Sequence, residues 1–118
     1  MPERISMEII ATNVDLGNKK ELYKLTKSAS IRVQDVEQGT SIPVEKYAIY
    51  TEPNNKGEDQ TVLAVVGGDV KITTIYKTFI DSFKECLALM EGEPFSIIIT
   101  GGTSKGGRKY VNCELDCD

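Results

Sequence analysis

The stretch QTVLAVVGGDVKITTIYKTFIDSFKECLALME, residues 60–91, changes its apolar period once, and that change decides how the chain is read. Residues 60–67 are dominated by branched apolar side chains and run into Gly67, Gly68 and Asp69, so they read as a strand closed by a tight turn. Residues 70–73 resume the extended pattern. From residue 74 onward, Ile75, Phe79, Ile80, Phe83, Leu87 and Met90 recur at three- and four-residue steps, which places them on one face of a helix over 74–91. Thr73 is its expected N-cap and Gly92 its C-terminal stop, with Lys77, Asp81, Lys84, Glu85 and Glu91 on the wet side.

Working outward, residues 44–52 form a second branched and aromatic run, joined to 60–67 by Pro53, Asn54, Asn55, Lys56 and Gly57, and the two predict a β-hairpin. Beyond the helix, residues 94–100 alternate Phe95, Ile97 and Ile99, and residues 110–115 alternate Val111, Cys113 and Leu115. The glycine-rich segment 101–107 joins them as a second hairpin. The order strand, strand, strand, helix, strand, strand matches a five-stranded OB barrel over 44–116, in which the helix closes one end. The expected class is therefore mainly β with one helix, and an ordinary α+β sandwich of the same content is the alternative. Residues 1–38 make an N-terminal extension: a strand over 5–12, a partner strand over 21–26, and at 31–38 a turn or short helix ending at Gly39. One domain is expected from 118 residues with no internal repeat, low-complexity tract or linker.

Composition excludes several classes of chemistry. The chain has no His and no Trp, which removes every imidazole base and most zinc sites. Three Cys without a C-x-x-C pair argue against a disulfide framework and fit a reducing cytosol. Cys86, Cys113 and Cys117 share apolar faces with Phe83, Leu87 and Leu115 and read as small buried hydrophobes, so neither metal nor cofactor is expected. Carboxylates are scattered, and no general acid and base come together, so no enzyme is expected. The longest uncharged apolar-rich run, 61–68, is far shorter than the ~20 residues of a membrane span, and MPERISMEII lacks a signal-peptide apolar centre. A soluble, cytoplasmic chain is the expectation.

Charge is informative by region. The net charge of -4 argues against coating nucleic acid through bulk electrostatics. Residues 17–32, however, carry Lys19, Lys20, Lys24, Lys27 and Arg32 against Glu21 alone, and residues 101–110 carry Lys105, Arg108 and Lys109 with no acid. Two basic segments thus sit on an acidic body. The segment from Gly102 to Lys109 superficially resembles the phosphate loop G-x-x-x-x-G-K-[ST], but Arg108 stands where Lys is required, Lys109 where the hydroxyl is required, and a strand follows where a helix must start. A cationic hairpin tip is the better description, and in OB barrels such loops grip oligonucleotides.

Single strands are held by flat π surfaces and by cations that follow the phosphates. With Ile49, Val70 and Ile72 pointing inward, strand parity turns Lys46, Tyr50, Lys71 and Thr73 outward, and it also turns Tyr110 outward beside Arg108, while Tyr47 reads as core. Lys24, Lys27, Lys46, Lys71, Lys105, Arg108 and Lys109 are accordingly the expected phosphate contacts, and Tyr50 and Tyr110 the expected stacking surfaces. A protein-interaction adaptor docking a basic partner on the acidic body is the alternative, and a nucleotide sensor has only the imperfect glycine loop in its favour.

The runs Glu21-Leu22-Tyr23-Lys24-Leu25-Thr26, Ser30-Ile31-Arg32-Val33-Gln34-Asp35-Val36-Glu37-Gln38-Gly39-Thr40 and Val44-Glu45-Lys46-Tyr47-Ala48-Ile49-Tyr50 resemble the small single-stranded DNA-binding proteins of phages that infect Gram-positive bacteria. So do Thr61-Val62-Leu63-Ala64-Val65-Val66, Thr74-Ile75-Tyr76-Lys77-Thr78-Phe79 and the loop Gly102-Thr103-Ser104-Lys105-Gly106, with the early-region proteins of lactococcal phages the most similar. The resemblance spans nearly the whole chain. It implies an OB fold, sequence-tolerant binding of single-stranded DNA during phage replication or recombination in the host cytoplasm, and a homodimer; recombinase or replication proteins of host or phage are further expected partners. The related bacterial housekeeping proteins carry a long acidic, aromatic-ended tail, whereas this sequence ends Glu114-Leu115-Asp116-Cys117-Asp118, so recruitment through such a tail is not expected.

Overall fold

The computed structural model describes residues 8–103, 106, 107 and 109–117. Along the chain these form β1 (Glu8–Thr12), α1 (Lys19–Lys27), β2 (Ile31–Arg32), a 3-10 turn (Val33–Asp35), β3 (Ser41–Pro43), β4 (Lys46–Pro53), β5 (Asp59–Gly67), β6 (Val70–Thr74), α2 (Lys77–Met90), β7 (Ser96–Thr103) and β8 (Lys109–Leu115). The chain is mainly β, as its patterning predicts. Five strands form one sheet in the order β1-β4-β5-β6-β2 and three form another in the order β3-β7-β8; the two are not closed into a barrel.

The hairpin β4–β5 pairs in unbroken register from Lys46↔Val66 to Pro53↔Asp59, and β6 continues the meander from Gly67↔Val70 to Leu63↔Thr74. Strands β3 and β4 are separated only by Val44 and Glu45, and there the backbone changes sheets. Val44 N donates to Phe95 O at 2.9 Å, on the β7 side, and Glu45 N donates to Val66 O at 3.0 Å, on the β5 side. Only glycine fits at the end of β5 under this corner, because a Cβ on Gly67 would lie 1.6 Å from Pro43 O.

Between the two sheets lies the main core. Ile49, Leu63, Val65 and Ile72 from the large sheet meet Ile42, Ile97, Ile99 and Cys113 from the small one, with Phe79, Ile80, Phe83 and Cys86 of α2 filling the space between. Tyr47 packs on this core edge-to-face with Phe83, at 5.5 Å between centroids, in keeping with its parity. Cys86 and Cys113 are buried as expected, and Cys117 is exposed, a correction that follows from its position beyond the end of β8.

Three further expectations are corrected. Residues 21–26 form no strand but the middle of α1, so there are two helices among the described residues. Asn18 accepts from Glu21 N at 3.2 Å as its cap, Lys24 and Lys27 lie in its last turn, and Leu25 and Thr26 are buried; a run of good helix formers with a cap outweighs the weak case for a strand. Residues 31–38 contain both a short strand, β2, paired parallel to β6, and the 3-10 turn. Thr73 does not cap α2: β6 runs on through Thr74, which pairs with Leu63, and Thr74 Oγ1 accepts from Tyr76 N at 3.1 Å, so the helix begins only at Lys77. The ladder delays the helix by a turn and leaves Ile75, read as its first apolar position, 55% exposed. Its C-terminus is close to expectation, since Glu91 adopts φ 49° and Gly92 φ 90°.

Candidate nucleic-acid interface

Register defines the outer face of the large sheet. Lys46, Val66 and Lys71 form one row across β4, β5 and β6, Ala48, Ala64 and Thr73 the next, and Tyr50 with Val62 the third. Strand parity is therefore as the sequence indicates. What the parity does not reveal is that α1 lies on this face, with Leu25 packed into a second small core of Ala48, Tyr50, Val62 and Ala64.

The consequences reach three predicted site residues. Tyr50 is only 2% exposed and its hydroxyl donates to Thr26 O at 3.2 Å; burial, reinforced by the Glu52 charge, pushes its pKa up to about 12. Its expected role as an outward stacking surface is corrected, because a helix occupies the face where a base would sit. Lys46 Nζ donates to Glu21 Oε2 at 2.6 Å, and that hydrogen bond and charge hold the Glu21 carboxyl below the usual carboxylate range. Lys71 Nζ donates to Ser28 O at 2.8 Å and to Lys24 O and Ser28 Oγ at 3.1 Å, so it caps the C-terminus of α1. Burial lowers the Lys71 pKa. Lys24, Lys46 and Lys71 do line one groove of about 320 Å³, but Glu21 and Asp69 share its walls. Two of its three ammonium groups already serve the fold.

Past the C-terminus of α1, on the same side of the sheet, the surface has a different character. Ser30 Oγ and Thr73 Oγ1 lie 3.1 Å apart and tie the exit of α1 to β6. Beyond them a groove of about 280 Å³ is lined by Arg32, Gln34, Val62, Thr73, Thr74, Ile75 and Tyr76, and Tyr76 continues into a second of about 330 Å³ completed by Lys77, Thr78, Tyr110 and Val111. Tyr76 is 43% and Tyr110 53% exposed, and Ile31 and Ile75 are exposed beside them.

Tyr110 stands where its parity predicts. It pairs with Gly102, and its ring leans across that glycine so closely that a Cβ there would lie 2.8 Å from the hydroxyl and 3.1 Å from Cζ. A ring seated on a glycine keeps one face covered and presents the other. The cations of this region are Arg32, paired with Asp35 at 3.2 Å, and Lys77, paired with Asp81 at 2.8 Å, both pairs at the surface where such bonds are readily exchanged.

Lys27 is exposed near the end of α1. The Lys109 backbone opens β8 opposite Thr103, while Lys105 and Arg108 lie outside the described residues. Sequence reasoning missed Tyr76, Ile75 and Arg32. The first two were hidden because the helical period was extended a turn too far toward the N-terminus; the proximity of a Thr-Thr pair that can continue a strand was the available signal.

Among the described residues, no three His, Cys, Asp or Glu side chains converge as a metal site, and no helix is long and apolar enough to cross a membrane. No protein-family model, no curated protein and no solved structure matches the chain.

Proposed function

We propose that this chain is a non-enzymatic, sequence-tolerant single-stranded DNA-binding protein of the phage type that its sequence resembles, acting as a homodimer in the host cytoplasm during replication or recombination. The observation that carries the reading is the groove between Tyr76 and Tyr110, two exposed phenol rings flanking an open trough completed by Lys77, Thr78 and Val111. Stacking on such rings contributes about 1–3 kcal/mol per base and tolerates any base, because every base has a π face. Phosphates would be met by Lys109, Lys105 and Arg108 of the β7–β8 hairpin, by Arg32, and by Lys24 and Lys27 of α1.

An OB-type barrel is part of the same proposal. It is supported by the β4–β5–β6 meander, by α2 between β6 and β7, and by the β3–β4 corner that pairs with both β7 and β5. The 3-10 turn Val33–Asp35 contacts both β6 and β8, in the gap where a barrel would close. Anisotropy of a labelled oligothymidylate, titrated at low and high salt, tests the function: length-dependent binding that weakens with salt is expected, and no binding at low salt sinks it. Light scattering on the same sample tests the dimer.

A protein-docking role has one specific observation in its favour. On the far side, a groove of about 420 Å³ combines the apolar Val44, Tyr47, Leu87 and Phe95 with Glu45 and Glu93, which suits a basic partner.

A further inference from the structure

The outer surface of α1 belongs to no part of the site described above except through its lysines, and it carries an aromatic ring that packing does not explain. Positions 20, 23, 24 and 27 follow the i, i+3, i+4, i+7 spacing of a single helical stripe. They put Tyr23 on the same helical stripe as Lys20, Lys24 and Lys27. Tyr23 is 67% exposed, more than Tyr76 or Tyr110. Lys19, Lys20, Lys24 and Lys27 form no ion pair among the described residues, whereas Arg32, Lys46 and Lys77 each have one. The inner side of the same helix is fully engaged through Leu25, Thr26 and Glu21. The helix therefore presents Lys20 and Lys27, without a salt bridge among the described residues, together with an exposed ring on a protein of net charge -4.

We infer that this stripe is a second binding surface for the single-stranded polynucleotide, in which Tyr23 stacks on a base while Lys20, Lys24 and Lys27 contact the flanking phosphates. The inference rests on the single-strand reading of the Tyr76–Tyr110 groove and extends it. Continuity supports it: α1 ends at Lys27, and the chain then passes through Ser30, bonded to Thr73, to β2, whose Ile31 and Arg32 pair with β6 just before Ile75 and Tyr76. A strand held on the helix thus reaches the groove across neighbouring surface. The sheet face that α1 covers is replaced as a contact surface by the outside of the helix itself.

Because the chain contains no Trp, a single Tyr23→Trp substitution makes the ring its own reporter. Oligothymidylate of about 25 nucleotides, longer than one OB-sized site, should quench that indole, whereas an indole at Leu89, exposed at the C-terminal end of α2 (Leu89→Trp), should not respond. In the otherwise unaltered protein, Lys20→Ala with Lys27→Ala should lower the logarithmic salt slope of binding by roughly 1.4, about 0.7 for each lost phosphate contact on a single strand. If labelled oligothymidylate binds the unsubstituted protein but the indole at position 23 stays silent and the slope is unchanged, the helix surface is refuted and the groove reading survives. If the unsubstituted protein does not bind at all, both fall. Quenching by anionic phospholipid vesicles but not by oligothymidylate would assign the stripe to a membrane surface and overturn the inference.

Discussion

Two regions on the same side of the large sheet look alike as lists of residues and differ in what they can do. The region under and beside α1 holds Lys24, Lys46 and Lys71 around one groove and, two rows away on the same sheet face, Tyr50 beneath the helix; the region beyond it holds Tyr76 and Tyr110 with Arg32 and Lys77 at its margins. In the first, the tyrosine is sealed and two ammonium groups are held by a carboxylate and by helix carbonyls. In the second, the rings are open and the ion pairs lie at the surface. A cation or ring is available to a ligand only to the extent that its own fold does not already satisfy it.

The contrast is broken most severely at Leu25, the main apolar anchor of α1. Leu25→Ala should lower stability by about 2–5 kcal/mol, measured by denaturant unfolding; a negligible loss would mean that α1 is not a fixed cover of the sheet. Next in size, Tyr76→Ala and Tyr110→Ala should each weaken oligothymidylate binding by about 1–3 kcal/mol, while Tyr50→Phe leaves affinity unchanged. Titration calorimetry distinguishes the two, and equal losses at Tyr50 and Tyr110 would erase the distinction. Lys71→Met should cost roughly 1–2 kcal/mol of stability through the lost helix cap and leave the salt slope of binding unaltered. Joint substitution of Lys105, Arg108 and Lys109 by Ala should instead flatten that slope by about 2, at about 0.7 per contact.

At neutral pH the last effect is absent, and it appears only in strong alkali. Tyr50 and Cys113 are both raised to about 12 in the folded protein, from 10.0 and 9.0. For Cys113 burial is the main cause, with the neighbouring Cys86 and Glu114 adding to it. The unfolded chain gives up these protons first, so stability should be fully present below pH 9 and decline between 9 and 12. Tyr50→Phe should remove the share of the decline that begins at pH 10, read from thermal midpoints across that range; an identical profile would show that its hydroxyl is not buried.

Much of the architecture is legible in the sequence. The hairpin β4–β5, the short β6, the long α2 and the hairpin β7–β8 all follow from period and turn residues, because each is a local pattern with a strong apolar face. The miss at 21–26 arose where the apolar signal is thin: only Leu22 and Leu25 stand among lysines, and a helix with so narrow a buried stripe is stabilised by the surface it lands on. For the site, the outward parity of Tyr110 sufficed, whereas the same reasoning failed for Tyr50, since parity tells which face a side chain takes and not what covers that face.

The order of elements from β4 to β8, the strand parity of Lys46, Tyr50, Lys71 and Tyr110 and the concentration of cations at 17–32 and 101–110 were determined by the sequence alone, because they depend on local geometry and on charge count. Tertiary structure alone decided which cations remain free, that Tyr50 lies beneath a helix, and that Tyr76 and Tyr110, distant in sequence, share one groove. Those outcomes depend on how α1 docks on β4–β6 and how β8 meets the start of α2, contacts between segments far apart along the chain whose register no local pattern encodes.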